Sequence, residues 1–194
     1  MKINMEEIEK NWQTYEKLAT RLSDQHITDM LQVIGERIVI CPGSQKLDQY
    51  NAHPGGLIRH TLDVASTMRS MNESQSLSLE TASILKVSLL HDLGKIGDLK
   101  NPLFIEQDSD WHREKLGQMY KYNEDLQKMS ISHRTLFLLQ LFNISLSSDE
   151  WLAIQLAQGS HFEENRFYVG AEPTLALCLQ QAKNMSIHKH RLSI

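Results

Sequence analysis

The chain has 194 residues, and its 20 lysines and arginines against 24 aspartates and glutamates give a formal net charge of −4. A hydrophobic content of 41% with only 9 glycines and 4 prolines excludes a collagen-like or wholly disordered chain and predicts one domain with a core. A mildly acidic chain also lacks the broad positive field that non-specific nucleic-acid binding needs.

The positions of the cysteines and the hydropathy of the chain indicate the cellular compartment in which the protein is expected. The two cysteines, Cys41 and Cys178, lie far apart without a Cys-x-x-Cys motif, so neither a disulfide scaffold nor a zinc ribbon is indicated. The amino terminus has no apolar signal region, and no run approaches 18 apolar residues. We therefore expect a cytoplasmic protein that is neither exported nor embedded in a membrane.

Helical periodicity dominates the first third of the chain. Apolar residues recur at three- and four-residue steps over 4–22 and 27–40, which predicts two amphipathic helices. Proline and glycine predict a loop over 41–56, and a third helix is expected to begin near Gly56 with His60 beside its apolar stripe.

A fourth helix, predicted over 79–93, has almost no polar face and should be buried on most sides. It ends in the run His91-Asp92-Leu93-Gly94-Lys95, in which Gly94 is the expected residue just beyond the helix. The following stretch, 95–131, is polar and aromatic, and it predicts a long loop with a short helix near 110–118.

Helical patterns return in the carboxyl-terminal part. A helix is predicted over 133–142, a capping box at Ser147 and Glu150 begins the next one, and Pro173 begins the last. No strand pattern, repeat or linker interrupts the sequence. We predict a single all-α helical bundle over 1–194, with amino-terminal helices over 1–40 and a core that carries the motifs over 54–188.

The His91–Asp92 pair carries the chemistry. A carboxylate at the end of a buried helix faces the negative end of the helix dipole, so Asp92 needs a nearby cation. His60 and His91 could join Asp92 around one divalent metal, with water at the open positions. Alternatively, His60 is an ordinary core histidine and Asp92 is neutralised by Lys95 or another lysine.

These motifs resemble the HD-domain superfamily of metal-dependent phosphohydrolases. The similarity lies in His60 within Pro54-Gly-Gly-Leu-Ile-Arg-His60-Thr-Leu and in Leu89-Leu-His91-Asp92-Leu-Gly-Lys95, and it extends more weakly over most of the chain to HD proteins of phage and bacterial genomes. The resemblance implies an all-helical fold, hydrolysis of phosphate esters and His60, His91 and Asp92 as metal ligands. It also implies a bacterial cytoplasm, or a host cytoplasm if a phage encodes the chain.

The sequence departs from this family at the fourth ligand. HD proteins usually supply an aspartate after an alanine in the last core helix, whereas this chain reads Leu179-Gln-Gln-Ala-Lys183-Asn184. A Lys183 ammonium in the pocket would repel a divalent metal or replace it by pairing with Asp92. If Lys183 instead snorkels outward, Asn184 or a water completes the coordination.

The expected function is hydrolysis of a nucleotide or related small-molecule phosphate ester. A metal of unspecified identity (Mn, Mg, Fe, Ni or Zn) would activate a water at His60, His91 and Asp92, and the catalytic pair would be Asp92 and Lys95. One alternative is a catalytically impaired nucleotide-binding or regulatory module in which Lys183 displaces the metal. Another is a helical interaction protein whose pocket is vestigial.

Further substrate contacts are expected from basic and imidazole side chains near these motifs. The candidates for phosphate or pocket-mouth contacts are Lys95, Arg113, Lys115, His161 and Lys183.

Overall fold

The computed structural model describes residues 4–192, and helices account for most of them. The α-helices in chain order are α1 (Met5–Thr20), α2 (Gln25–Ile40), α3 (Gly56–Gln75), α4 (Thr81–Leu90), α5 (Asp110–Leu116), α6 (Ile131–Leu141), α7 (Ser148–Leu156) and α8 (Thr174–Leu192). Two 3₁₀ turns (Leu93–Ile96 and Glu163–Tyr168) and two short strands, β1 (Phe104–Glu106) and β2 (Tyr120–Tyr122), complete the fold. The prediction of an all-α bundle is confirmed.

The centre of the bundle is α3, which packs along α8 and α4, while α7 packs against α8. Two clusters of buried apolar side chains fill the interior. One cluster joins α1, α2 and α6 to the first turn of α3 and the last turn of α4. The other lies among α3, α4, α7 and α8. No described helix is both long and apolar enough to cross a membrane.

Glycines set the start of α3. Gly55 has a φ of +79° immediately before the helix, a conformation that glycine adopts without steric cost. An ideal Cβ on Gly56 would lie 1.9 Å from the carbonyl oxygen of Asn51, so only glycine allows the predicted 41–56 loop to close this tightly. The turn fixes where α3 begins and therefore where His60 faces the core.

The end of α4 differs from the prediction. The helix stops at Leu90, and the expected role of Gly94 as the left-handed residue beyond it is wrong, because Gly94 lies inside the 3₁₀ turn and Gly97 is the residue with positive φ (+92°). Gly94 has another role. A Cβ there would lie 2.3 Å from the carbonyl oxygen of Ile131, so glycine permits the turn to pack directly on α6.

The 95–131 stretch is more ordered than the sequence indicated. The strands β1 and β2 pair antiparallel, with Phe104 opposite Tyr122, and the predicted short helix is α5, capped by Ser109. The expectation that no strand is present is corrected. Strands of three residues are too short to show an alternating pattern, so periodicity could not reveal them.

The carboxyl-terminal helices begin where capping signals place them. Ser147 accepts a hydrogen bond from the Glu150 amide, and Glu150 accepts one from the Ser147 amide, which confirms the predicted capping box at the start of α7. Helix α8 follows Pro173 and presents Leu175, Cys178, Leu179 and Ala182 to the interior, as predicted.

Candidate functional site

The structure brings His60, His91 and Asp92 together in the interior. His60 projects from the second turn of α3, while His91 and Asp92 follow the last residue of α4, and none is more than 1% exposed. The Nε2 atoms of His60 and His91 lie 3.9 and 3.7 Å from Oδ2 of Asp92. We call these three residues the His–Asp cluster.

Both imidazoles are suited to bind a metal. The Nδ1 atom of His91 donates to the carbonyl of Ser88 at 2.9 Å, which leaves the lone pair on Nε2. Within residues 4–192, the buried Nε2 atoms of His60 and His91 have no hydrogen-bond partner. Burial lowers the pKa of His91 to about 4 and that of His60 well below its ordinary value, so both rings are neutral. The cluster could therefore hold a metal ion.

The carboxylate of Asp92, however, is surrounded by cationic and neutral donors. The Nζ atom of Lys183 donates to Oδ1 at 2.8 Å, and Nε2 of Gln158 donates to the same oxygen at 2.8 Å. On the other side, Nζ of Lys95 lies 2.6 Å from Oδ2. Burial alone would raise the pKa of Asp92, but the ammonium groups of Lys183 and Lys95 hold it well below its usual range.

Lys95 is committed to protein partners. Its ammonium donates to the carbonyl of Gly43 at 2.7 Å and to the hydroxyl of Tyr50 at 2.6 Å, in addition to facing Asp92. Two of the three ammonium hydrogens are therefore donated to Gly43 and Tyr50, and the charge is paired with Asp92. The ring of Tyr50 also packs on His60, with ring centroids 4.6 Å apart. Lys95 lies beside the cluster, where it contacts Asp92 and holds the 41–56 loop through Gly43 and Tyr50.

Lys183 points inward. Its residue is 5% exposed, whereas Asn184 beside it is exposed to solvent. The alternative in which Lys183 snorkels outward and Asn184 completes a coordination sphere is therefore wrong. Lys183 lies one helical turn beyond Leu179 on the face of α8 that packs into the bundle, which is why its side chain reaches Asp92.

Charge decides how well a metal suits this cluster. One carboxylate and two ammonium groups with neutral imidazoles sum to +1. Two unit charges about 4 Å apart repel by about 4 kcal/mol at an effective dielectric constant of about 20, and a divalent ion would experience about twice that from each ammonium. The imidazole nitrogens thus fit a metal, but the lysines that hold the carboxylate oppose its entry.

Gln158 is the member of the site that sequence reasoning missed. It lies two residues beyond the end of α7 and is partly exposed, so one end of its carboxamide reaches Asp92 while the residue also borders solvent. The one feature of the sequence that could have indicated Gln158 is its position. It is a polar residue just after the apolar end of α7, and that end of the helix lies at the same end of the bundle as the His–Asp cluster.

A cavity of about 610 Å³ adjoins the cluster at Gln158. Its walls come from the segment between β2 and α6, from the start of α6 and from the residues that follow α7. This volume lies within the range of pockets that hold small molecules in proteins, about 300–1,000 Å³. Gln158 is thus shared between the cavity and the carboxylate of Asp92.

The other predicted contact residues lie outside this arrangement. Arg113 on α5 contacts the carbonyl of Gln107 and the carboxylate of Asp110, and Lys115 is exposed on the same helix. His161 is exposed and its ring packs at a tilt against that of Phe162, with ring centroids 4.4 Å apart, and Phe162 itself lines the cavity. His161 therefore neighbours the cavity, whereas the structure gives Arg113 and Lys115 surface positions on α5.

Comparison with known proteins identifies no relative. No protein-family model matches the chain, and neither the curated proteins nor the solved structures contain a significant match. The resemblance to HD-domain proteins therefore rests on the motifs around His60 and His91–Asp92.

Proposed function

We propose that this protein is a catalytically impaired, HD-like binding module that takes a small phosphate ester, such as a nucleotide, in the 610 Å³ cavity without a bound metal. In this proposal the His–Asp cluster and its two lysines form a fixed polar core beside the cavity. The module binds its ligand and releases it unchanged.

The observation that carries this proposal is the state of the Asp92 carboxylate. Lys183 and Lys95 lie within 2.8 and 2.6 Å of its two oxygens, and Gln158 adds a third donor. Oδ1 accepts from Lys183 and Gln158, and Oδ2 faces the Lys95 ammonium as an ion pair, so both oxygens are poorly available to a divalent cation. Hydrolysis of a phosphate ester by a metal-activated water needs that cation. A net charge of +1 also disfavours the entry of a further cation into the cluster.

A second candidate function is the metal-dependent hydrolysis that the family resemblance implies. Its support is the pair of unpartnered Nε2 atoms on His60 and His91, because buried polar atoms in proteins nearly always have a partner. Under this alternative, a metal would take both nitrogens and an oxygen of Asp92, and Lys95 and Lys183 would have to move away from the carboxylate.

Metal content and ligand binding together separate the two functions. We expect elemental analysis of protein purified without chelator to find less than about 0.1 divalent metal per chain. Calorimetric titration with nucleoside mono-, di- and triphosphates and cyclic dinucleotides should detect binding, and phosphate release should stay at the buffer rate with added Mn²⁺, Mg²⁺, Ni²⁺ or Zn²⁺. Stoichiometric metal with metal-dependent turnover would instead establish the hydrolase and overturn the binding module.

A further inference from the structure

Two polar side chains line the inner wall of the 610 Å³ cavity, and one offers a hydrogen-bond acceptor while the other offers donors. Gln158 lies where the cavity meets the His–Asp cluster, and Arg134 lies on the first turn of α6. Both have hydrogen-bonding capacity left after their contacts within the protein.

The orientation of the Gln158 carboxamide is fixed by its neighbour. The ionised carboxylate of Asp92 only accepts hydrogen bonds, so the amide nitrogen of Gln158 must face it, and Nε2 donates to Oδ1 at 2.8 Å. The amide oxygen has no partner in the described part of the chain. An oxygen of this kind accepts from a hydroxyl or amine and repels a phosphate or carboxylate oxygen.

Arg134 supplies the complementary donors. It is 4% exposed, it lines the cavity, and Nη2 donates to the carbonyl of Gln127 at 2.7 Å. A guanidinium has five N–H donors, and Nε of Arg134 has no partner within residues 4–192. A cation that is this buried and this sparsely bonded is suited to a planar or tetrahedral anion.

The remaining walls are mostly apolar. Leucine, methionine, isoleucine and aromatic side chains surround the space between the two polar groups: Leu103, Tyr122, Leu126, Met129, Ile131 and Phe162. Tyr122 and Phe162 are about half exposed, so aromatic rings are present toward the opening. Such walls suit a ring or another apolar body.

We propose that the cavity binds a small organic molecule with a single anionic group, which lies at Arg134, and a hydroxyl or amine, which lies at Gln158, so that the phosphate of a nucleotide is not at the side chain that contacts Asp92. This inference rests on the proposed function and adds the orientation and charge of its ligand. Hydrolysis at the cluster would instead need the phosphate at the Gln158 side of the cavity, next to Asp92.

Charges at the opening limit the ligand further. Glu124 and Glu164 are exposed residues of the cavity lining, and Lys128 is the exposed cation among them. Two carboxylates against one ammonium disfavour a ligand with several negative charges. A nucleoside monophosphate is therefore preferred over the corresponding triphosphate.

The test compares AMP, adenosine and ATP as probes by calorimetric titration. Wild-type protein should bind AMP more tightly than either adenosine or ATP. Arg134→Gln should weaken AMP binding by about tenfold or more while changing adenosine binding by less than about twofold, because the lost contact is to the phosphate alone. Gln158→Met should weaken AMP and adenosine alike. Arg69→Gln is the matched control, since Arg69 pairs with Glu73 on the exposed face of α3.

The outcomes separate this inference from the function on which it rests. Absence of binding of every probe to the wild type overturns both. Binding of AMP with equal losses for AMP and adenosine in Arg134→Gln, or tighter binding of ATP, overturns the orientation alone and leaves the binding function in place. Arg134→Lys retains the charge if Arg134→Gln does not fold, and it should keep part of the preference for AMP over adenosine.

Discussion

At the scale of single residues, Asp92 is the residue that connects the separate elements of the candidate site. It receives contacts from Lys95 three residues along the chain, from Lys183 on α8 and from Gln158 beyond α7. Buried ion pairs add little net stability relative to apolar side chains, but removal of one partner leaves an uncompensated charge inside the protein. The two ends of the Lys183–Asp92 contact should therefore respond differently to substitution.

We predict that Asp92→Asn lowers the free energy of unfolding by about 3–5 kcal/mol, because Lys95 and Lys183 are left buried with no counter-charge. Lys183→Met should cost less, since Lys95 and Gln158 remain to hold the carboxylate. The double variant should be more stable than the sum of the two single changes predicts. Denaturant unfolding of the four proteins measures this coupling.

Glu73→Gln serves as the control, because Glu73 forms an exposed pair with Arg69 and should change stability by less than about 0.5 kcal/mol. Equal, additive effects of Asp92→Asn and Lys183→Met would contradict the ionic pairing. A metal content that falls in Asp92→Asn would show instead that a metal, and not Lys183, balances the carboxylate.

At the scale of the secondary-structure elements, the capping residues at the helix ends position the candidate site. The start of α7 determines where Gln158 emerges at its other end, and the capping box of Ser147 and Glu150 fixes that start. Glu150 is buried and also accepts from Ser83 at 2.9 Å and from Lys86 at 3.1 Å, so it connects α7 to α4. This carboxylate thus stabilises the two helices whose carboxyl-terminal ends lead into the site.

Stability at Glu150 should depend on pH. Burial would raise its pKa, but hydrogen bonds from Ser147 and Ser83 and contact with Lys86 lower it below the ordinary 4.5. A lowered pKa means stabilisation that is complete above pH 4.5 and is lost as the pH falls through the lower folded-state value. Glu150→Gln should therefore cost about 1–2 kcal/mol at pH 7, and the difference from wild type should shrink as the pH falls below the ordinary 4.5.

The neighbouring Asp149 provides the comparison, since it is exposed in the same first turn of α7. Asp149→Asn removes the same charge and should change stability by no more than about 0.5 kcal/mol at any pH. Thermal unfolding of the three proteins between pH 3 and pH 8 measures both effects. A Glu150→Gln difference that stays constant over this range would exclude the ionised carboxylate as the stabilising group.

At the scale of the whole molecule, local patterns predicted the elements and tertiary packing determined the site. Apolar periodicity located the helices, and the dipole argument at Asp92 correctly required a nearby cation. Periodicity along α8 could not decide whether Lys183, at the flank of the apolar stripe, faces inward. Gln158 reaches Asp92 across 66 positions in sequence, a contact that depends on how α7 and α4 pack together.

The balance of charge in the assembled bundle leads to the final prediction. Lys183 and Gln158 both donate to Oδ1 of Asp92, so replacing them by Lys183→Asp and Gln158→Asp puts acceptor oxygens where donors now stand. The cluster charge changes from +1 to −2 with Lys95 still in place, and cations become favoured.

The double variant should bind Mn²⁺ or Zn²⁺ near one per chain. At a metal concentration about 100-fold above the dissociation constant, it should be stabilised by about 2.7 kcal/mol. The wild type, and Lys10→Asp on the exposed face of α1, should show no such shift in thermal unfolding with metal or with chelator. Metal-dependent stabilisation of the wild type equal to that of the double variant would mean that the lysines do not keep the metal out.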